Sequence, residues 1–126
     1  MTPRRNISSG SKWEPLLGYS RAVVAGNTVY VSGTVGVAAD GSVPEGAYAQ
    51  TKRALEIIRD ALAQAGAELS GVVRTRLFLA DMADFDAVAK AHGEVFGAIR
   101  PATTIVEVAK LVDAAFVVEV EAVAVL

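Results

Sequence analysis

The sequence predicts an α+β domain with the element order ββαβαββ. Three observations carry that expectation. Two β-branched runs flank a Gly-Asn turn, two segments repeat apolar residues at spacings of three and four, and three further Val- and Thr-rich runs alternate along the second half. A length of 126 residues fits one domain, residues 1–126, with no repeat, linker or low-complexity stretch dividing it.

The elements follow in order. Residues 8–18, Ser-Ser-Gly-Ser-Lys-Trp-Glu-Pro-Leu-Leu-Gly, read as an irregular loop, because Ser, Gly and Pro interrupt any period. Tyr19 to Val24 and Thr28 to Gly33 read as strands joined through Ala25-Gly26-Asn27, a hairpin turn by composition. A loop through Asp40-Gly41 and Pro44 comes next. From about Ala47 to Ala65, Thr51, Leu55, Ile58, Leu62 and Ala65 share one helical face while Lys52, Arg53, Glu56, Arg59 and Asp60 take the others. Gly66 is placed to stop that helix. Val72 to Leu79 reads as a strand. Asp84 is the expected N-cap of a second helix, with Phe85, Val88, Ala89, His92, Val95 and Phe96 on one side and Gly97 and Pro101 ending it. Thr103 to Val108 and Phe116 to Val125 read as the last strands.

Two helices of this length cover one face of a sheet. Val106 and Val108 fall on one face of their strand and Ile105 on the other, so both faces carry apolar residues. The uncovered face is therefore expected to be buried between copies of the chain. A hydrophobic content of 52% and a mean hydropathy of +0.39, high for a small monomer, support the same expectation.

Composition removes several classes of function. The net charge of −2 and the lack of a basic run or basic-aromatic patch give no attraction to nucleic acid or anionic lipid. With no cysteine, thiolate chemistry and disulfides are excluded, and a single histidine, His92, makes a zinc or copper site a poor expectation. Met1-Thr2-Pro3-Arg4-Arg5-Asn6 has no apolar segment behind its arginines, and no run approaches a membrane span, so the expectation is a cytoplasmic protein. A Ser-His-Asp triad would have to use His92, which has no supporting motif. Gly33-Thr34-Val35-Gly36 lacks the spacing of a phosphate loop.

Several segments together carry a resemblance. They are Gly18-Tyr19-Ser20-Arg21-Ala22-Val23, Val29-Tyr30-Val31-Ser32-Gly33, Gln50-Thr51 with Leu55, and Val72-Val73-Arg74-Thr75. Phe78-Leu79, Asp81-Met82-Ala83-Asp84-Phe85, Pro101-Ala102, Val106-Glu107-Val108 and Val118-Glu119-Val120-Glu121-Ala122 complete the set. In this order they resemble the Rid family (reactive intermediate deaminases, also called YjgF-like or L-PSP proteins) from residue 18 onward. The resemblance implies a chorismate-mutase-like, ferredoxin-like α+β fold. It implies a homotrimer whose sheets line a barrel-like core, with small-molecule clefts between subunits. It further implies hydrolysis of enamines and imines such as 2-aminoacrylate to keto acid and ammonia, without metal or organic cofactor.

The same resemblance assigns candidate residues. The family's carboxylate-gripping arginine follows Pro-Ala, where this chain has Thr103, and an asparagine of the second helix is replaced by Ala89. A threonine hydroxyl offers one neutral donor in place of a two-pronged cation. Glu119 matches the glutamate thought to position or activate water. Tyr19, Ser32, Gly33, Thr103 and Thr104 outline the expected ligand site, with Trp13 as either a wall of the cleft or a staple onto the core.

Arg76, and also Arg21, could supply a relocated anion clamp; an intersubunit ion pair with Glu119 or Glu121 is the plainer role for Arg76. Read without the resemblance, Glu119 and Glu121 are simply two acids on one strand face, and His92 is a packed ring. Two functions stay open on this reading. One is a deaminase of imines or enamines. The other is a non-catalytic trimer whose clefts bind a small metabolite or a partner.

Overall fold

The computed structural model describes residues 3–126; Met1 and Thr2 lie outside them. Six strands form one sheet: β1 (Arg4–Ile7), β2 (Ala22–Ala25), β3 (Thr28–Thr34), β4 (Val72–Leu79), β5 (Ala102–Glu107) and β6 (Val118–Val125). Their spatial order is β1-β2-β3-β6-β4-β5. All neighbours are antiparallel except β4 and β5. Those two are parallel because a helical crossover returns the chain to the same end of the sheet. Three helices accompany the sheet: α1 (Trp13–Leu17), α2 (Ala47–Gln64) and α3 (Phe85–Phe96).

The predicted hairpin is β2–β3, with Ala25 opposite Thr28 across Gly26-Asn27. Gly26 has φ +63°, the left-handed conformation such a two-residue turn requires. Helix α2 buries the predicted face: Thr51, Ala54, Leu55, Ile58, Ala61 and Leu62 are all buried. It packs across β3 and β6 and against α3. Leu55, Ile58 and Leu62 each contribute about 1.5–3 kcal/mol by leaving water. The helix ends as expected. Gly66, at φ +83°, sends its N–H to Ala63 O at 3.1 Å, and Ala67 N–H reaches back to Leu62 O at 2.8 Å.

The core lies between the helices and one face of the sheet. That face carries Val29, Val31, Leu77, Leu79, Val118, Val120, Ala122 and Ala124, all buried. The opposite face carries Val23, Tyr30, Ser32, Arg74, Arg76, Glu121 and Val123 around a shallow hollow of about 230 Å³. None of the described helices covers it, and Tyr30 is 52% exposed. Both faces therefore carry apolar residues, as expected, and the second, where Val23, Tyr30 and Val123 stand among charged groups, is open.

Three expectations need correction, and β4 departs from simple alternation. Residues 4–7 form an edge strand that polar side chains conceal: only Ile7 of its four residues is buried. Residues 13–17 are helical within the expected loop, because the Glu14 carboxylate, which becomes buried, accepts hydrogen bonds from Ser9 N–H, Ser9 Oγ–H and Ser11 N–H. Asp84 makes no capping bond; Asp81 does, accepting from Ala83 N–H at 2.8 Å ahead of a single 3-10 turn at Met82–Asp84. A register shift between Val72 and Arg74 turns Val72 into the core and leaves Val73 exposed.

Among the described residues, no helix is long and apolar enough to cross a membrane.

Candidate functional site

The candidate residues fall into two clusters on opposite faces of the sheet. The first lies on the open face where β2, β3 and β6 meet. The β3–β6 register shifts between Val31 and Thr34, so Ser32-Gly33 sits in a bulge inside the strand rather than in a turn at its end. The Glu119 carboxylate rests against Gly33. A Cβ on Gly33 would collide with Glu119 Oε2, so only glycine admits this approach. On the other side of the bulge Arg21 is buried, 8% exposed, and donates from Nη2 to Gly33 O at 2.6 Å. Its guanidinium lies 5.7 Å from the centre of the Tyr19 ring. Its Nε–H is buried without a partner. Ser32 Oγ–H donates to Ser20 O at 2.6 Å, which commits its proton.

Electrostatics in this cluster pull two ways. Burial pushes the Glu119 carboxyl above its ordinary value, the Arg21 cation opposes that push, and Glu121 adds to it. Burial lowers the Arg21 guanidinium, against the opposing fields of Tyr19, Glu14 and Glu119, yet an arginine so placed keeps its proton. Burial also pushes the Glu14 carboxyl up, but hydrogen bonds from Ser9, Ser8 and the backbone of Ser9 and Ser11 outweigh it and leave Glu14 low. The result is a buried cation and a half-buried acid held on either side of one backbone bulge.

The second cluster lies between α3 and the β4–β5 edge. Thr75 and Thr103 are register partners on the core side of the sheet. Thr75 is fully buried. Its Oγ1 lies 2.9 Å from His92 Nε2 and 2.7 Å from Thr103 Oγ1, and Thr103 Oγ1 in turn lies 3.1 Å from Pro101 O. The His92 ring packs on Phe96 at 4.7 Å, tilted by 42°, as the packed-ring reading expects. Burial holds His92 below its ordinary value. A pocket of about 170 Å³ opens beside these groups, lined by Leu77, Phe85, Ala89, His92, Thr103 and Ile105 among others.

The structure thus gathers Tyr19, Ser32, Gly33 and Glu119, and adds Arg21 to them. It does not bring Thr103 to them. β5 stands three strands from β3, about 14 Å at ordinary strand spacing, and Thr103 points to the other face. Thr104 does share the open face, but it accepts a bond from Arg74 Nη2 at 2.7 Å.

Arg76 pairs with Glu121 at 2.9 Å within the chain, so the expected ion pair forms with the expected acid but without a second subunit. Trp13 is 45% exposed, with the Lys12 ammonium 5.0 Å from its ring. Sequence reasoning passed over Thr75. Its signal was a hydroxyl on the face of β4 that Leu77 and Leu79 occupy.

The fold agrees with what the chain is similar to. A family model described as Endoribonuclease L-PSP matches residues 10–126. A Streptomyces coelicolor protein, SCO2049, is 42% identical over 118 residues, 93% of this chain and 88% of that protein. The goat (Capra hircus) 2-iminobutanoate/2-iminopropanoate deaminase is 37% identical over 124 residues, 96% of this chain and 90% of the enzyme. The crystal structure of Rv2704 from Mycobacterium tuberculosis, a member of the YjgF/YER057c/UK114 family, superposes with a TM-score of 0.92 at 44% identity, covering 98% of this chain and all of that one. The chain belongs to this L-PSP family, also called YjgF-like or Rid.

Proposed function

We propose that the chain is a deaminase of the Rid type, hydrolysing small imines or enamines without a cofactor in clefts between the copies of a homotrimer. The observation that carries this reading is the Glu119 carboxyl, half-buried, raised by burial and fixed against Gly33. Such a group holds a proton more readily than an ordinary carboxylate, which suits it to general acid–base work. Family membership and a relative named as a 2-iminobutanoate/2-iminopropanoate deaminase support the reaction class.

The chemistry asks little of the protein. Water adds to the C=N carbon, Glu119 takes a proton from that water and returns it to nitrogen, and the carbinolamine collapses to a carbonyl and ammonia. An enamine first takes a proton at carbon to become the iminium. Tyr19, Ser32 and Arg21 shape the wall around Glu119. Within one chain no small ligand spans both clusters, so a complete cleft requires β5 of one copy to face the Glu119 cluster of another. The open sheet face supplies surface for that contact.

Thr103 favours a second reading, a trimeric binding module without catalysis, because no cation stands beside it in the pocket. One assay separates the two. Imines generated in situ, with and without a carboxylate, are mixed with the protein and ammonia release is followed. Acceleration that Glu119→Gln abolishes supports the deaminase. No acceleration of any imine over buffer leaves the binding module.

A further inference from the structure

The pocket between α3 and β5 is chemically unlike the Glu119 cluster. Its walls are Leu77, Phe85, Val88, Ala89, Gly93 and Ile105, and its only polar side chains are His92 and Thr103. Those two belong to one hydrogen-bonded series: His92 Nε2, Thr75 Oγ1, Thr103 Oγ1, Pro101 O.

The protons of that series have two consistent arrangements. In one, His92 Nε2–H donates to Thr75, Thr75 to Thr103, and Thr103 to the Pro101 carbonyl. In the other, Thr103 donates to Thr75 in place of Pro101, whose carbonyl it leaves at 3.1 Å without a proton, and Thr75 donates to an unprotonated Nε2. A third choice, with Thr75 donating to His92 and Thr103 to Pro101, leaves two hydroxyl oxygens 2.7 Å apart with no proton between them. In both consistent arrangements the single proton of Thr103 is committed inside the protein. A hydroxyl has one donor and two lone pairs, so what Thr103 shows the pocket is an acceptor.

We propose that this pocket selects a small uncharged group with an apolar body and an N–H or O–H donor, received by Thr103 Oγ1, and discriminates against carboxylates. A carboxylate is acceptor only. Placed here it would face a second acceptor in an apolar setting, and Thr103 could serve it only by breaking an internal bond. The neutral state in which burial holds His92 leaves no positive charge to compensate. Resting on the deaminase reading, this makes the substrate an imine or enamine whose substituent is an amide, alcohol or alkyl group rather than a 2-imino acid. The volume of about 170 Å³ limits that substituent to a few heavy atoms.

The test uses the full chain and two probes of nearly identical shape, isobutyramide and isobutyrate. His92 is the only histidine, so its imidazole NMR signals report the pocket without interference. The expected result is a saturable shift of those signals with isobutyramide at about tenfold higher affinity than with isobutyrate, the usual worth of one well-made hydrogen bond. Thr103→Val, an exposed strand position, should remove the amide's advantage while leaving the fold intact. Equal affinities, tighter binding of isobutyrate, or no saturable shift with either probe overturns the proposal. Neither probe has a C=N bond, so the outcome is independent of the ammonia-release assay, and either reading can fail while the other stands.

Discussion

Glu119 occupies the space that a side chain on residue 33 would need. A methyl group there would meet Oε2, the far end of a flexible side chain, and not backbone. Gly33→Ala is therefore expected to push the carboxylate aside while sparing the fold. The rate of imine hydrolysis should fall by about tenfold or more, since small misplacements of a reacting group are costly. The melting temperature should stay close to that of the parent. Unchanged kinetics in a folded Gly33→Ala protein would show that the position of Glu119 is irrelevant to turnover.

Removing the acid itself should be harsher. Glu119→Gln is expected to lower kcat by about a hundredfold to ten-thousandfold, the usual worth of a general acid–base group. The pH dependence has a definite sign. Burial raises the folded carboxyl above its unfolded value, so its contribution to stability is full below the unfolded value and is lost as pH rises through the folded one. Glu119→Gln should thus stabilise the protein more at pH 8 than at pH 4, measured by thermal melts. Arg21 opposes the burial effect, so Arg21→Gln should shift the Glu119 inflection in the rate profile upward.

Gln50 holds the connection between β5 and β6. Its side chain donates to Pro44 O at 3.0 Å and Ala115 O at 2.9 Å and accepts from Val117 N–H at 2.9 Å, while only 3% exposed. Gln50→Leu keeps the volume and strands all three partners. The expected destabilisation is about 2–4 kcal/mol in urea unfolding.

The open sheet face predicts assembly. Sedimentation equilibrium at micromolar concentration should give three times the 13.1 kDa chain mass. Tyr30→Asp, a change at a site 52% exposed in the isolated chain, should shift the protein toward monomer and abolish activity with it. A Tyr30→Asp variant that stays trimeric would place the contact elsewhere.

Much of the fold was legible because the chain obeys simple periods. The buried face of α2 follows from Thr51, Leu55, Ile58 and Leu62, and the β2–β3 hairpin from Gly26-Asn27. The misses have physical causes. Arg4-Arg5-Asn6 looks like solvated chain because an edge strand buries almost nothing, and α1 depends on a buried Glu14 whose partners are serines. The bulge at Val73 reverses strand parity, and no residue type announces it. For the site, Glu119 and Ser32 came from resemblance to a family. The Thr75–His92 link did not, since a strand threonine and a helix histidine carry no mark of meeting.

The central strand of the sheet, β6, is the last of the six to be translated, yet β3 and β4 both require it as their partner. On a ribosome the earlier strands must therefore wait with open edges until residues 118–125 emerge. Folding of this sheet is gated by that segment, and nascent copies carry a sticky, half-built sheet until it emerges.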